Sequence, residues 1–172
     1  GSIRISAGKS ADGVGGDVEI TGGHSVGVGT GGSIAVLSGG SSLGQSGSVS
    51  VMTGSGIVGS GALALQTGHS FDGTAGEINI MTGIGQSNSG GIFLLAGDAV
   101  AGSSGNIVLE AGSSELSTGG SIHVSSGGSK FKKGGNVEIF SGQGATGSGG
   151  IYVSTGDAST SSGKVSIVTG IA

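Results

Sequence analysis

The chain has 172 residues, of which 44 are Gly and none is Pro, Cys or Trp, and it carries a net charge of −4 with only 9% charged residues. Collagen needs Gly at every third position with abundant Pro, and neither is present. The absence of Cys removes disulfides and thiolate metal sites, the thin charge gives no strong pull towards nucleic acid or an anionic membrane, and no apolar run reaches the ~18 residues of a membrane span.

An octet that opens the chain as "GSIRISAG" returns throughout its length, as "GSVSVMTG" from Gly47, "GALALQTG" from Gly61, "GEINIMTG" from Gly76 and "GNIVLEAG" from Gly105. Its first Gly falls at 1, 16, 32, 47, 61, 76, 90, 105, 120, 135, 149 and 163, so the period is 14 to 16 residues. Positions three and five of the octet are aliphatic in every repeat, from Ile3 and Ile5 to Val165 and Ile167. Positions four and six vary. A two-residue period of this kind predicts a strand with one apolar face. Position seven is Ala, Gly, Ser or Thr, and position eight is always Gly, where a turn is expected.

The second half of each repeat is shorter and more polar, as in "HSFDGTA" and "QGATGS". Its second residue, position ten, is always Ser, Gly or Ala. This predicts a short second strand with very small inward side chains. About fifteen residues is too short for a βαβ unit, and no segment has helical spacing. The expected fold is therefore all-β: one domain over 1–172, a flat two-sided β-solenoid of about twelve coils, about 15 residues each, without helices. Coils at strand spacing would make a rod roughly 55 Å long. A charge at Ile78 or Leu94 should then break the stack locally. The first and last octets match the others and carry no polar cap. Open edges of that kind expect flanking repeats or further copies of the chain beyond them.

Few residues suggest chemistry. Three GxGxxG matches, at Gly27, Gly54 and Gly142, open no predicted helix and read as turn glycines. His24 and His69 lie three repeats apart, too far to share a metal, and His123 sits at another phase. The acidic residues show neither a Ca²⁺-binding nonapeptide nor the paired carboxylates of a glycan-cleaving enzyme. No catalytic residue, metal or cofactor is expected. Thr53, Thr67 and Thr82 at position seven of successive repeats raise ice binding, although the outward positions make no regular lattice.

Those outward positions are instead apolar in the middle of the chain. Leu37, Met52, Met81, Phe93, Leu95 and Val108, extended by Phe140 and Tyr152, are the expected interface. The stretch "SKFKKG", with Lys130, Lys132 and Lys133, is the main cationic cluster and a candidate contact for an acidic polymer or a neighbouring subunit.

Written as "GGxIxIxTGxSxxGxSG", the repeat resembles Gly/Ser/Thr-rich tracts of long secreted or cell-surface proteins of diatoms and related algae, some of which look like building material for flagellar hairs or extracellular fibres. The resemblance covers essentially the whole chain. It implies an extracellular or cell-surface structural protein with itself, flanking repeats or glycans as partners, and neither nucleic acid nor membrane insertion. Ser and Thr offer O-glycan acceptors, while no N-x-S/T sequon is present. The expected function is assembly into a filament through end-to-end stacking and lateral apolar contacts. The alternative is an ice-binding or carbohydrate-binding adhesin module.

Overall fold

In the computed structural model, which describes residues 1–171, each octet is extended and is followed by a loop in which the chain bends. The bend absorbs all the variation in repeat length. It takes two residues in the 14-residue repeats (57–58, 86–87, 145–146 and 159–160) and three in the 15-residue repeats, for example 11–13 and 115–117. It takes four, 26–29, in the one 16-residue repeat. The other twelve residues are constant.

The expected β-solenoid is not formed. Among the described residues there is no helix, strand or sheet, and no hydrophobic side chain is buried. The chain exposes 17456 Å². For its mass, about 7,300 Å² is usual for a folded domain and about 23,000 Å² for an unfolded chain. The reason lies in the second half-repeat. A two-sided solenoid needs a second strand to cover the aliphatic face, and positions nine to fifteen instead close a loop on themselves. With nothing to cover them, two aliphatic residues per repeat cannot offset the entropy of ordering a Gly-rich ladder.

The mouth of each loop lies between position eight and position one of the next repeat. The Gly16 N–H donates to the Gly8 carbonyl at 2.9 Å, and the same bond recurs from Gly32 to Gly23, Gly47 to Gly39, Gly105 to Gly97, Gly120 to Gly112, Gly135 to Gly127 and Gly149 to Gly142. Position one is Gly because position seven faces it closely. The Cβ atoms of Ala7, Ala96 and Ala111 stand 3.2 Å from where a side chain on Gly16, Gly105 and Gly120 would begin.

Position seven decides whether the mouth bond forms. It is Ala, Gly or Ser in all seven repeats that have the bond: Ala7, Gly22, Ser38, Ala96, Ala111, Ser126 and Ser141. Where it is Thr53, Thr67, Thr82 or Thr155, the bond is missing from the mouth that follows. The Thr67, Thr82 and Thr155 methyls lie 3.4 to 3.7 Å from the same point on Gly76, Gly90 and Gly163. A β-branched side chain, stiff at χ1, holds the two glycines apart. Thr67→Ala should thus create the bond and Ala111→Thr should remove it. One hydrogen bond is worth about 1 kcal/mol, so amide exchange should slow at Gly76 and quicken at Gly120, each by roughly fivefold. Equal exchange in both variants would show that the methyl is not the cause.

Position ten closes the loop from inside. Ser10 Oγ accepts from the Gly13 N–H at 2.8 Å, and Ser41, Ser114 and Ser129 do the same for Gly44, Ser117 and Lys132. This is a Ser side chain capping a turn in its own backbone. It replaces the inward strand position expected from sequence. Three of the four 14-residue repeats have Gly there, Gly56, Gly85 and Gly144. A Cβ on any of them would collide with the carbonyl three residues on, at Gly59, Asn88 and Gly147. Ala99 has neither option. Its loop uses Gly102 at φ +114° and turns the Ser104 hydroxyl onto the Ala99 N–H.

Two units divide the chain, Gly1–Met81 and Thr82–Ala172. Each is built of repeats shielded by their neighbours in sequence. Position three is 52–58% exposed from Val18 to Val165, whereas Ile3, with no repeat before it, is 95% exposed. Position five is 63–76% exposed from Ile5 to Val153, whereas Ile167, the last, is 94% exposed. Within each unit the preceding repeat therefore shields position three, and the following repeat shields position five. Position seven meets the next position one at the mouth, and these two aliphatics follow on either side of it. Such an array is held by nearest-neighbour terms.

Candidate functional site

The octet has two sides. Asn79 Nδ2 donates to Glu77 Oε2 at 3.4 Å and Asn136 Nδ2 to Glu138 Oε1 at 3.2 Å, so positions two and four share one side. Positions three, five and seven take the other, and no charged residue or His occupies them in any repeat. Ala7, Thr67, Ala96 and Ala111 at position seven are among the few residues that are only half-exposed.

The expected interface residues are on the first side. Leu37, Met52 and Met81 belong to the first unit, and Phe93, Leu95, Val108, Phe140 and Tyr152 to the second. All eight are 76–94% exposed. Most are freer than the internal aliphatics of positions three and five, which a neighbouring repeat already covers in part. The aromatic rings reach back along the octet: Phe93 lies against Gly91 and Tyr152 against Gly150, where a Cβ would meet the ring at 3.1 Å and 2.7 Å. Sequence reasoning placed the partner surface only on this side. Exposure shows a second apolar surface on the other side, repeated along the chain.

Lys130, Lys132 and Lys133 lie in the loop 127–135, at and just after its bend. Lys130 Nζ sits 5.3 Å from the centre of the Phe131 ring. The loop is held by the Gly135 N–H on the Gly127 carbonyl, by the Ser126 hydroxyl donating to the Gly135 carbonyl at 3.0 Å, and by the Lys132 N–H on Ser129 Oγ. Position ten and the loop-mouth glycines went unread as a closing device. The signal was present as Gly at position ten in three of the four 14-residue repeats, and in no longer repeat.

Among the described residues no three His, Asp or Glu come together as a metal site, no cavity is formed, and no helix is long and apolar enough to cross a membrane. His24 and His69 stand at the first loop position of separate repeats and His123 stands on an octet. Of Thr53, Thr67 and Thr82, the candidate ice-facing column, Thr67 and Thr82 lie beside the loop-mouth glycines Gly76 and Gly90. No protein-family model matches the sequence, and no curated protein or solved structure matches it.

Proposed function

We propose that the chain is a structural repeat segment that works by association with copies of itself into an extracellular or cell-surface filament. The observation that carries this reading is that twelve repeats keep two aliphatic residues each, yet not one hydrophobic side chain is buried among the described residues. Exposed apolar surface on this scale marks interaction. A face with the same spacing and no charge is offered by another copy of the chain. The outward residues Leu37, Met52, Met81, Phe93, Leu95 and Val108 supply lateral contacts, and Phe140 and Tyr152 extend them. The likeness of the repeat to algal fibre and flagellar-hair tracts supports an extracellular setting.

Electron microscopy of the purified protein across a concentration series tests the reading. Filaments should appear above a threshold concentration. In Met81→Lys/Leu95→Lys they should persist singly, without side-by-side bundling. Dispersed single chains at every concentration would sink the proposal and turn attention to ice-recrystallisation and glycan-binding assays on the single chain.

A further inference from the structure

We infer that the loop 127–135 is a binding site for an acidic polysaccharide of low charge density, such as a polyuronate. Three of the six cationic side chains of the protein are gathered in four residues of this one loop. The loop is also unusually well tied. It has the mouth bond and the position-ten Ser bond that other loops share, and in addition the Ser126 hydroxyl on the Gly135 carbonyl. A loop held in this way presents its ammonium groups without a large ordering cost on binding.

Phe131 adds a second element. It is an exposed aromatic in the same loop as the three lysines. Its ring carries the Lys130 ammonium over one face, and the negative π-face favours positively polarised groups. The C–H groups of a pyranose ring fit such a face, and carboxylates on the same sugar chain fit the lysines.

The surrounding charges choose the kind of polyanion. Glu115 holds position eleven of the preceding repeat, the place that Lys130 holds in its own, Glu110 lies on the octet of that same preceding repeat, and Glu138 lies on the octet that follows the loop. The whole chain is at −4. Duplex nucleic acid, with a charge every ~1.7 Å, would press against these carboxylates as well as the lysines. A polymer with at most one charge per sugar can meet the lysines alone.

Binding of a size-fractionated polyuronate oligosaccharide, its carboxyl-reduced neutral counterpart and oligothymidylate should be measured by calorimetry on the full chain, with sedimentation confirming that wild type and variants share one assembly state. The polyuronate should bind, with affinity falling about tenfold between 50 and 200 mM salt, as when two or so counterions are released. Lys130→Gln/Lys132→Gln/Lys133→Gln should abolish it, and Phe131→Ala should weaken it severalfold with the salt dependence unchanged. Ser129→Ala should weaken it while Ser129→Thr, which keeps the hydroxyl, restores it. The inference is overturned if polyuronate does not bind, if the triple variant binds as well as wild type, if the neutral polymer binds equally, or if oligothymidylate binds more tightly.

Discussion

Ile92→Lys/Leu94→Lys should prevent assembly at wild-type working concentrations, raising the threshold concentration by about 100-fold. Both residues belong to the apolar side of one mid-chain octet, at positions three and five. Their neighbours already cover part of each, and 52% of Ile92 and 67% of Leu94 remain for a second copy. Burying an aliphatic side chain is worth roughly 1.5–3 kcal/mol, and half of that per residue is the share at stake. Two lysines forfeit this share and add the cost of placing ammonium groups against apolar surface. A combined loss of about 3 kcal/mol is about two decades in an association constant. The substitution touches no loop-mouth glycine and no position-ten turn, so amide protection at Gly105 and Gly120 should be kept. Ile92→Val/Leu94→Val should assemble close to the wild-type threshold. If the lysine pair assembles normally, the apolar side of the octets is not the self-association surface.

The contrast with Met81→Lys/Leu95→Lys separates the two surfaces. Positions three and five are aliphatic in all twelve repeats, whereas apolar residues at four and six belong mainly to the middle ones. A contact made by every repeat accumulates along the array, as nearest-neighbour terms do. A contact made by a few repeats adds width. Loss of the first removes the filament and loss of the second only its bundling.

The period, the two aliphatic positions and the small position seven were legible in the sequence because they are one-residue choices repeated twelve times. Their physical trace is the graded exposure of positions three, five and four or six. The strands were not legible as absent. Alternation reports which side of an extended segment is apolar, and it does so equally for a segment in a ladder and for one outside it. Whether a ladder forms depends on what covers the apolar side, and that was read from position ten. There Ser looked like a small inward residue. A serine fits a tight interface between strands and also caps a turn with its hydroxyl, and both demand a small side chain. Ser10, Ser41, Ser114 and Ser129 take the second course. The Gly alternatives at Gly56, Gly85 and Gly144 separate the two readings, because a loop closing on itself relates the residue at position ten to the number of residues in the bend; Ala158 keeps a two-residue bend in the fourth short repeat, whose mouth carries no bond. For the candidate site, the lysines of "SKFKKG" were visible as a run, but the three hydrogen bonds that hold their loop depend on Ser126, Ser129 and Gly135, residues that look like any others in this composition.

Gly144→Ala should open the loop 142–149 and speed exchange of the Gly149 amide by roughly 5- to 100-fold. In the native loop that amide donates to the Gly142 carbonyl at 2.9 Å. The bend here spans only 145–146, so the Gly147 carbonyl comes back to the space beside Gly144. A methyl group placed there meets backbone, which has no rotamer to escape into. Relief requires the bend to widen, and the mouth must give up its bond to allow it. Steric strain of this kind costs about 1–3 kcal/mol, which sets the range of exchange rates. The loop that follows Gly112 provides the comparison. Ser114 stands at its position ten, its bend has three residues, and the Gly120 amide makes the same mouth bond at 2.8 Å. Ser114→Ala places no new atoms and removes only the hydroxyl bond to the Ser117 N–H, so Gly120 should quicken no more than roughly fivefold. Inserting one Ser after Ala145 in the Gly144→Ala chain lengthens the bend to three residues and should restore slow exchange at the mouth Gly. Rescue by the insertion is the outcome that a general loss of glycine freedom would not produce, since the Ala remains in place. If the insertion fails to rescue, bend length and position ten are not coupled, and the division of the repeat into twelve constant residues and a variable bend loses its physical basis.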